Sequence, residues 1–337
     1  MRIYSLELTV NTPLIITGAK YGRVIEHSIN YIPGSSIRGS ILTLLKFMNS
    51  KLVDEEISTP KMIFHPAYPI SQDGNQSYPS DPLTFKCKIC GEIVQLPVKS
   101  PEDLRIPTKY GENHICMFKN IGGSLIYCRN GKLKSLNLKH AFIEAVGINK
   151  MLRSSETGLL YSYVALAPGV VFRGLVIDPI DRLEQMIKDV GLSMNSLKLK
   201  IGRRVSAGLG RVEAKIAEDK NYIDRRIKQL SSTNGTLCLL AKSPVFNLDY
   251  DEKDIFPTVK SIGSLPVKYV FKTGIVEVSG YSIKSNTPKV MIKGLNIGSL
   301  IVPDARNICV EDLVKLELHG VGPFSTAGLN IVEVVKR

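Results

Sequence analysis

The sequence contains no tryptophan, only five histidines, and six cysteines in 337 residues. It has no run of apolar residues near the roughly 20 that a membrane-spanning helix needs. Its start, Met1-Arg2-Ile3-Tyr4-Ser5-Leu6-Glu7, has no apolar core and no small-residue cleavage site, which predicts no signal peptide and a cytoplasmic chain. Six cysteines spread over this length do not make a disulfide framework, so in a reducing compartment they read as thiols or metal ligands. Acidic residues are also in deficit. Lys and Arg number 44 against 31 Asp and Glu, a formal charge of +13. That imbalance favours a polyanionic partner, because each neutralised phosphate releases condensed counterions.

What is present is a chain of 44% hydrophobic residues, long enough for two domains. Leu6, Leu8 and Val10 alternate with Glu7 and Thr9, a half-buried strand. A loop rich in glycine and basic residues follows, from Thr17 to Asn30. Then Ile37, Ile41, Leu44 and Met48 fall on one helical face, with Ser35 or Ser36 as the N-cap. Strand, loop and capped helix open a ferredoxin-like unit. Residues 51–135 are rich in Pro, Ser, Asp, Gly and Cys and have little periodicity, so they read as an insertion.

Regular pattern returns with strands at Tyr161–Leu166 and Val170–Ile177, a helix with Ile180, Leu183, Ile187 and Val190 on one face, and a strand at Leu197–Ile201. A glycine-rich loop, 202–211, leads into a strand from Val212 to Ile216. Residues 217–235 are polar and read as a linker. The layout then repeats: Leu316 to Val334 mirrors the strand, glycine-rich loop and strand at 197–216. A repeat of this period indicates a duplicated domain. The expected fold is α+β, with two ferredoxin-like domains in tandem, the first spanning 1–216 with its insertion at 51–135 and the second, degenerate, spanning 236–337.

Two loops carry candidate binding chemistry. In 202–211, Gly202, Gly208 and Gly210 free the backbone to turn its N–H groups toward an anion, and Arg203, Arg204 and Arg211 add charge suited to phosphate and base stacking. The same residues also suit a tight hairpin with solvated arginines. At Ser35, Ser36 and Arg38, a helix start offers unpaired N–H donors to a phosphate, although a serine there commonly serves only as a cap. It is not a P-loop, since no Gly-Lys-Ser/Thr ends it.

Cys87-Lys88-Ile89-Cys90-Gly91 is a zinc-knuckle half site. Cys116 and Cys128 complete a four-ligand set, with His114 as the alternate to one of them. A metal would help fold an insertion with so little apolar periodicity; the alternative is free thiols in a loop. Cys238 and Cys309, in apolar runs, read as core residues.

Tyr31-Ile32-Pro33-Gly34-Ser35-Ser36-Ile37-Arg38-Gly39-Ser40, together with the loop Gly202–Gly210 ahead of the last strand of that half, resembles the repeat-associated mysterious protein (RAMP) superfamily. Phe64-His65-Pro66-Ala67-Tyr68-Pro69-Ile70, Ala145–Asn149, Gly158–Tyr163 and Pro168–Gly174 extend the likeness to the large two-domain subunit of type III-D CRISPR–Cas effectors. The resemblance covers nearly all of the first half and, more loosely, the second. It implies tandem RNA-recognition-motif-like domains that hold the repeat-derived 5′ handle of a guide RNA (crRNA). It also implies as partners related RAMP subunits and a large polymerase-like subunit, with target RNA met indirectly through the guide. Carried over by position, Gly202, Arg203, Arg204, Gly208, Gly210, Arg211, Ser35, Ser36, Arg38 and Arg23 are the RNA-contact residues. The loop Gly320–Gly328 departs from the pattern in having no arginine.

No Ser/His/Asp or Cys/His grouping emerges. Members of the superfamily that process guides use a general base near the RNA backbone, a place His27 could take. Those that cleave target RNA use an Asp in this loop, where Glu26 is here the only carboxylate. The expectation is therefore a non-catalytic RNA-binding subunit. A guide-processing endoribonuclease using His27 and a target-cleaving backbone subunit using Glu26 are the alternatives.

Overall fold

In the computed structural model the described residues are 1–21, 25–109, 114–149, 151, 153–232, 235–246, 248–251, 258–262, 264–282, 287–304 and 309–337. They form a mixed α+β structure, mostly strands, with five helices among the described residues: α1 (Gly34–Phe47), α2 (Val53–Ser58), α3 (Leu183–Asp189), α4 (Tyr222–Ser232) and α5 (Val310–His319). Contacts group the chain into two compact units, Met1–Gln76 with Asn137–Asp219, and Ser77–Leu136 with Lys220–Arg337.

The first unit is built on an antiparallel sheet in the order Leu197–Lys200, Arg211–Glu218, Arg2–Val10, Val171–Asp178, Ile63–Phe64. Tyr4, Leu6, Leu8 and Val10 point to one face of the central strand and are buried, as their alternation predicts. Ile37, Ile41 and Leu45 of α1 and Leu183, Met186 and Ile187 of α3 pack in the same core. Each such side chain contributes about 1.5–3 kcal/mol on burial. A second sheet runs His140–Asn149, Ser154–Leu166, Ile25–Ser28, Thr17–Tyr21.

Several sequence expectations change here. The span from Thr17 to Asn30, read as a loop, holds two strands, and Ile25–Ser28 runs parallel to Ser154–Leu166. Helix α1 begins at Gly34 after Pro33, and neither serine makes a side-chain cap. Proline supplies the extended φ/ψ of the entry, so the hydroxyls are not needed. Helix α3 starts at Leu183, because Asp178 accepts hydrogen bonds from the N–H groups of Ile180 (3.2 Å) and Leu183 (2.7 Å). The stretch 51–135 does not lie wholly outside the main sheet, since Ile63–Phe64 forms its edge and Tyr68–Pro69 pairs with Val171–Asp178. Two-residue strands are too short to show a period.

The second unit has a sheet in the order Leu248–Asp251, Thr258–Ile262, Leu265–Phe271, Leu300–Pro303, Leu237–Ala241, Val332–Lys336. Residues 217–235, read as a linker, hold α4. Only Leu230 of this helix is buried, so its anchor is electrostatic. Arg226 donates to both carboxylate oxygens of Glu317 (2.9–3.2 Å) and to the Val334 carbonyl (2.5 Å). Tyr222 donates to Glu317 (2.9 Å), and burial first, then the Glu317 charge, raises its phenol pKa. Polar composition concealed a helix whose partners lie 91–108 residues away in sequence.

The repeat seen in the sequence recurs as a repeat of hydrogen bonds. In the first unit Leu14 and Leu166 exchange backbone bonds, Gly169 donates to Val10, and Gly210 donates to Pro13. In the second, Val245 and Leu295, Gly298 and Ala241, and Asn330 and Pro244 do the same.

A basic glycine loop and a candidate metal centre

The loop 202–211 is a built turn. Gly202, Arg204, Gly208 and Gly210 all have positive φ. A Cβ on Gly202 would lie 2.2 Å from the Ile15 carbonyl oxygen, and one on Gly210 would lie 2.0 Å from that of Ile201. Only glycine fits either position. The N–H groups of Ala207 and Leu209 donate to Arg204, that of Gly208 to Val205, that of Gly210 to Pro13 and that of Arg203 to Ile15. Sequence reasoning expected such amides to face an anion, but these five are spent inside the fold. The loop's binding chemistry therefore rests on side chains.

Arg203 and Arg211 are exposed. Arg204 is half-buried. Its Nε donates to the Tyr163 hydroxyl at 3.0 Å, and its guanidinium carbon lies 4.7 Å from that ring's centroid. Tyr163 was missed as a site residue. It lay inside a motif used for the resemblance, but a lone tyrosine on a strand gives no sign of which loop it will meet.

The remaining candidates separate. Ser35 is exposed and Ser36 half-exposed at the start of α1. Arg38 is turned inward: its Nη2 donates to the carbonyl (2.8 Å) and the carboxylate (3.2 Å) of Glu56, a fully buried residue. The structure thus gives Arg38 a structural partner in place of the expected phosphate. Glu56 also accepts N–H bonds from Lys61 and Met62. His27 is half-exposed on its strand, level with Val164, and Glu26 is level with Tyr163. Arg23 lies outside the described residues.

The cysteine set resolves differently from its spacing. Cys87, Cys90, His114 and Cys116 bring their ligand atoms within 4.8 Å of one another. Cys128 is not in the group. It sits on the strand Leu125–Arg129, opposite Leu133 in a different small sheet, so the alternate ligand His114 takes its place. Backbone pairing, which spacing cannot show, carries Cys128 away. Cys309 is exposed, against the core expectation, and its thiol donates to Asp312 (3.1 Å); Cys238 is buried as expected.

Within the cluster Cys87 Sγ and His114 Nε2 are 3.8 Å apart, Cys116 Sγ and His114 Nε2 3.6 Å, and Cys90 Sγ and Cys116 Sγ 4.0 Å. These match the edges, about 3.5–3.8 Å, of a tetrahedron with zinc–sulfur bonds of about 2.3 Å and zinc–nitrogen bonds of about 2.0 Å. Burial opposes ionisation of Cys87, but the N–H groups of Cys90 and Ile89 and the His114 contact prevail and bring its pKa down to about 6. Burial, then the neighbouring Cys87 and Cys90, push Cys116 up to about 11. Three thiols and an imidazole packed this closely can hold a metal ion.

No family model and no curated protein matches the sequence. Among solved structures, a chain of the type III-B Cmr-beta complex bound to cognate target RNA aligns over 98% of this chain and 99% of its own, with 15% identity and a TM-score of 0.52. The fold is that of a Cmr-beta chain. A chain of Cmr-beta bound to cognate target RNA and AMPPnP aligns over 96% of this chain and 93% of its own, at 15% identity and a TM-score of 0.46. Oligomeric Cmr4 from Pyrococcus furiosus covers 65% of this chain and 99% of its own, at 13% identity and a TM-score of 0.31. Only the first likeness bears on the fold, and it spans both compact units. No helix is long and apolar enough to cross a membrane among the described residues.

Proposed function

We infer that the protein is a RAMP-type, guide-RNA-binding subunit of a type III CRISPR effector complex, without catalytic activity of its own. The basic glycine loop carries this reading. Its backbone is fixed by internal bonds, and its arginines are left to meet the ligand. The fold likeness to a Cmr-beta chain supports it. Each unit is taken as a ferredoxin-like domain. The sheet neighbours fit the order four, one, three, two of a β-α-β-β-α-β fold. In the second unit, strands at 248–251 and 258–262 stand where the first crossover helix would be. The loop is assigned to the repeat-derived 5′ handle of the guide. Neighbouring subunits, the large polymerase-like one among them, are taken to cover other faces. Cys87, Cys90, His114 and Cys116 are assigned to a structural zinc ion, which would supply folding energy where apolar content is low.

The test is purification from native cells at low salt, with sequencing of the RNA that co-purifies. Short RNAs sharing one repeat-derived 5′ end, alongside related subunits, are the expected result. A random RNA mixture, or none, would remove the assignment.

A further inference from the structure

The cysteine cluster presents a surface that its structural role does not explain. Ile89 sits between two of the ligand residues and Ile115 between the other two; Met117 directly follows Cys116. They are 58%, 60% and 57% exposed. The cluster fixes where they lie, because it draws the two ligand pairs within 4.8 Å. The Lys88 N–H then donates to the Met117 carbonyl at 3.0 Å. Strand pairing sets Lys86 opposite Lys119 two residues further on. Lys88 and Lys119 are exposed on this same knuckle. Its only carboxylate among the described residues 86–92 and 114–120 is Glu92, which Lys109 neutralises in an ion pair.

A metal knuckle folds by chelation and has no need of three bare aliphatic side chains at its tip. Exposed apolar groups set close together mark a contact surface. The uncompensated charge around them is positive, which selects a polyanion. A single-stranded nucleic acid meets both features, with base faces against the aliphatic groups and phosphates on the lysines. We propose that the knuckle face formed by Lys88, Ile89, Ile115, Met117 and Lys119 is a second binding site for single-stranded RNA, separate from the basic glycine loop. This rests on the RNA-binding reading above and extends it to a second place on the chain.

The test uses the full chain loaded with zinc and a labelled oligouridine, read by fluorescence anisotropy over a range of salt. Ile89→Ser with Met117→Ser should weaken binding about tenfold, the loss of roughly one base contact. Lys88→Ala with Lys119→Ala should lower the salt slope by about 1.4, at about 0.7 per phosphate lost. Neither pair touches a metal ligand, so zinc content should stay at wild type. Should the apolar pair fail to fold, the lysine pair decides. Oligouridine carrying 4-thiouridine should crosslink to residues 88–90 and 115–117.

Unchanged affinity and slope, with crosslinks only at the glycine loop, would overturn the knuckle site and leave the loop assignment standing. If the wild-type chain binds no oligouridine, both readings fall. A photocrosslinker placed at position 89 that captures protein and no RNA in the native complex would make the knuckle a protein interface instead.

Discussion

The two glycine loops share one backbone and differ in chemistry. In 202–211, Ala207 and Leu209 donate to Arg204, and Gly208 donates to Val205. In 320–331, Ala327 and Leu329 donate to Phe324, and Gly328 donates to Ser325. Gly210 and Asn330 stand in matching left-handed positions, with φ of 68° and 58°. The side chains then diverge. Arg203, Arg204 and Arg211 occupy the places of Pro323, Phe324 and Ile331. Arg204 stacks on Tyr163, whereas Phe324 packs edge-on against Phe246 at 6.4 Å. Asn330, fully buried, accepts a hydrogen bond from the Phe246 N–H at 2.7 Å and ties the second loop into its own core. A turn of this shape is thus a scaffold, and the residues placed on it decide whether it presents charge to a polyanion or packs inward. The contrast extends to the anchors around the loops. The first unit relies on apolar packing plus the Arg38–Glu56 pair. The second adds the cysteine cluster and the Arg226–Glu317 pair.

The largest way to break this comparison is at the metal. His114→Ala or Cys87→Ser should abolish stoichiometric zinc, whereas Cys128→Ser should leave it unchanged, as measured by metal analysis of the purified chain. Acid gives the same result by titration. The Cys87 pKa lies below that of a free thiol, so the thiolate's contribution is full above about pH 8.5 and is lost as pH falls through about 6. Zinc release centred near pH 6 is expected. Retention of zinc at pH 4 would contradict the site.

Next come the buried ion pairs. Glu317→Ala strands Arg226, and Glu56→Ala strands Arg38, so each should cost about 3–5 kcal/mol in denaturant titration. Arg38→Ala should likewise destabilise without changing the salt slope of RNA binding. A stable Arg38→Ala chain with weakened RNA binding would return that arginine to the RNA surface.

The loops themselves give the third test. Arg203→Ala with Arg204→Ala should weaken binding of a guide-like RNA and flatten its salt dependence by about 1.4, with the melting transition unchanged. Phe324→Ala should do the reverse, lowering stability and leaving RNA affinity alone. The smallest effect belongs to Tyr163→Phe. It removes one hydrogen bond to Arg204 and keeps the ring beneath it, worth about 0.5–1.5 kcal/mol in RNA affinity.

Much of this was legible in the sequence where a period or a glycine carried the message. The strand of Leu6, Leu8 and Val10, the face of Ile37 and Ile41, and the repeated glycine loop all appear where they were expected. What failed to show was whatever depends on distant partners. Helix α4 looks like a linker until Arg226 meets Glu317, and Arg38 looks like a phosphate ligand until Glu56 is seen behind it. Cys128 has an acceptable spacing, yet its hairpin carries it elsewhere.

By itself, the sequence determined the alternating and helical apolar faces, the positions where only glycine fits, the excess of positive charge and the pool of metal-ligand residues. Those follow from local sterics and composition, which each short segment carries with it. Tertiary structure alone decided which thiols and imidazole converge, which arginines face outward and which polar stretch becomes a helix. Each of those outcomes rests on an attraction between groups far apart along the chain, and such an attraction acts only once the fold has brought them within a few ångströms.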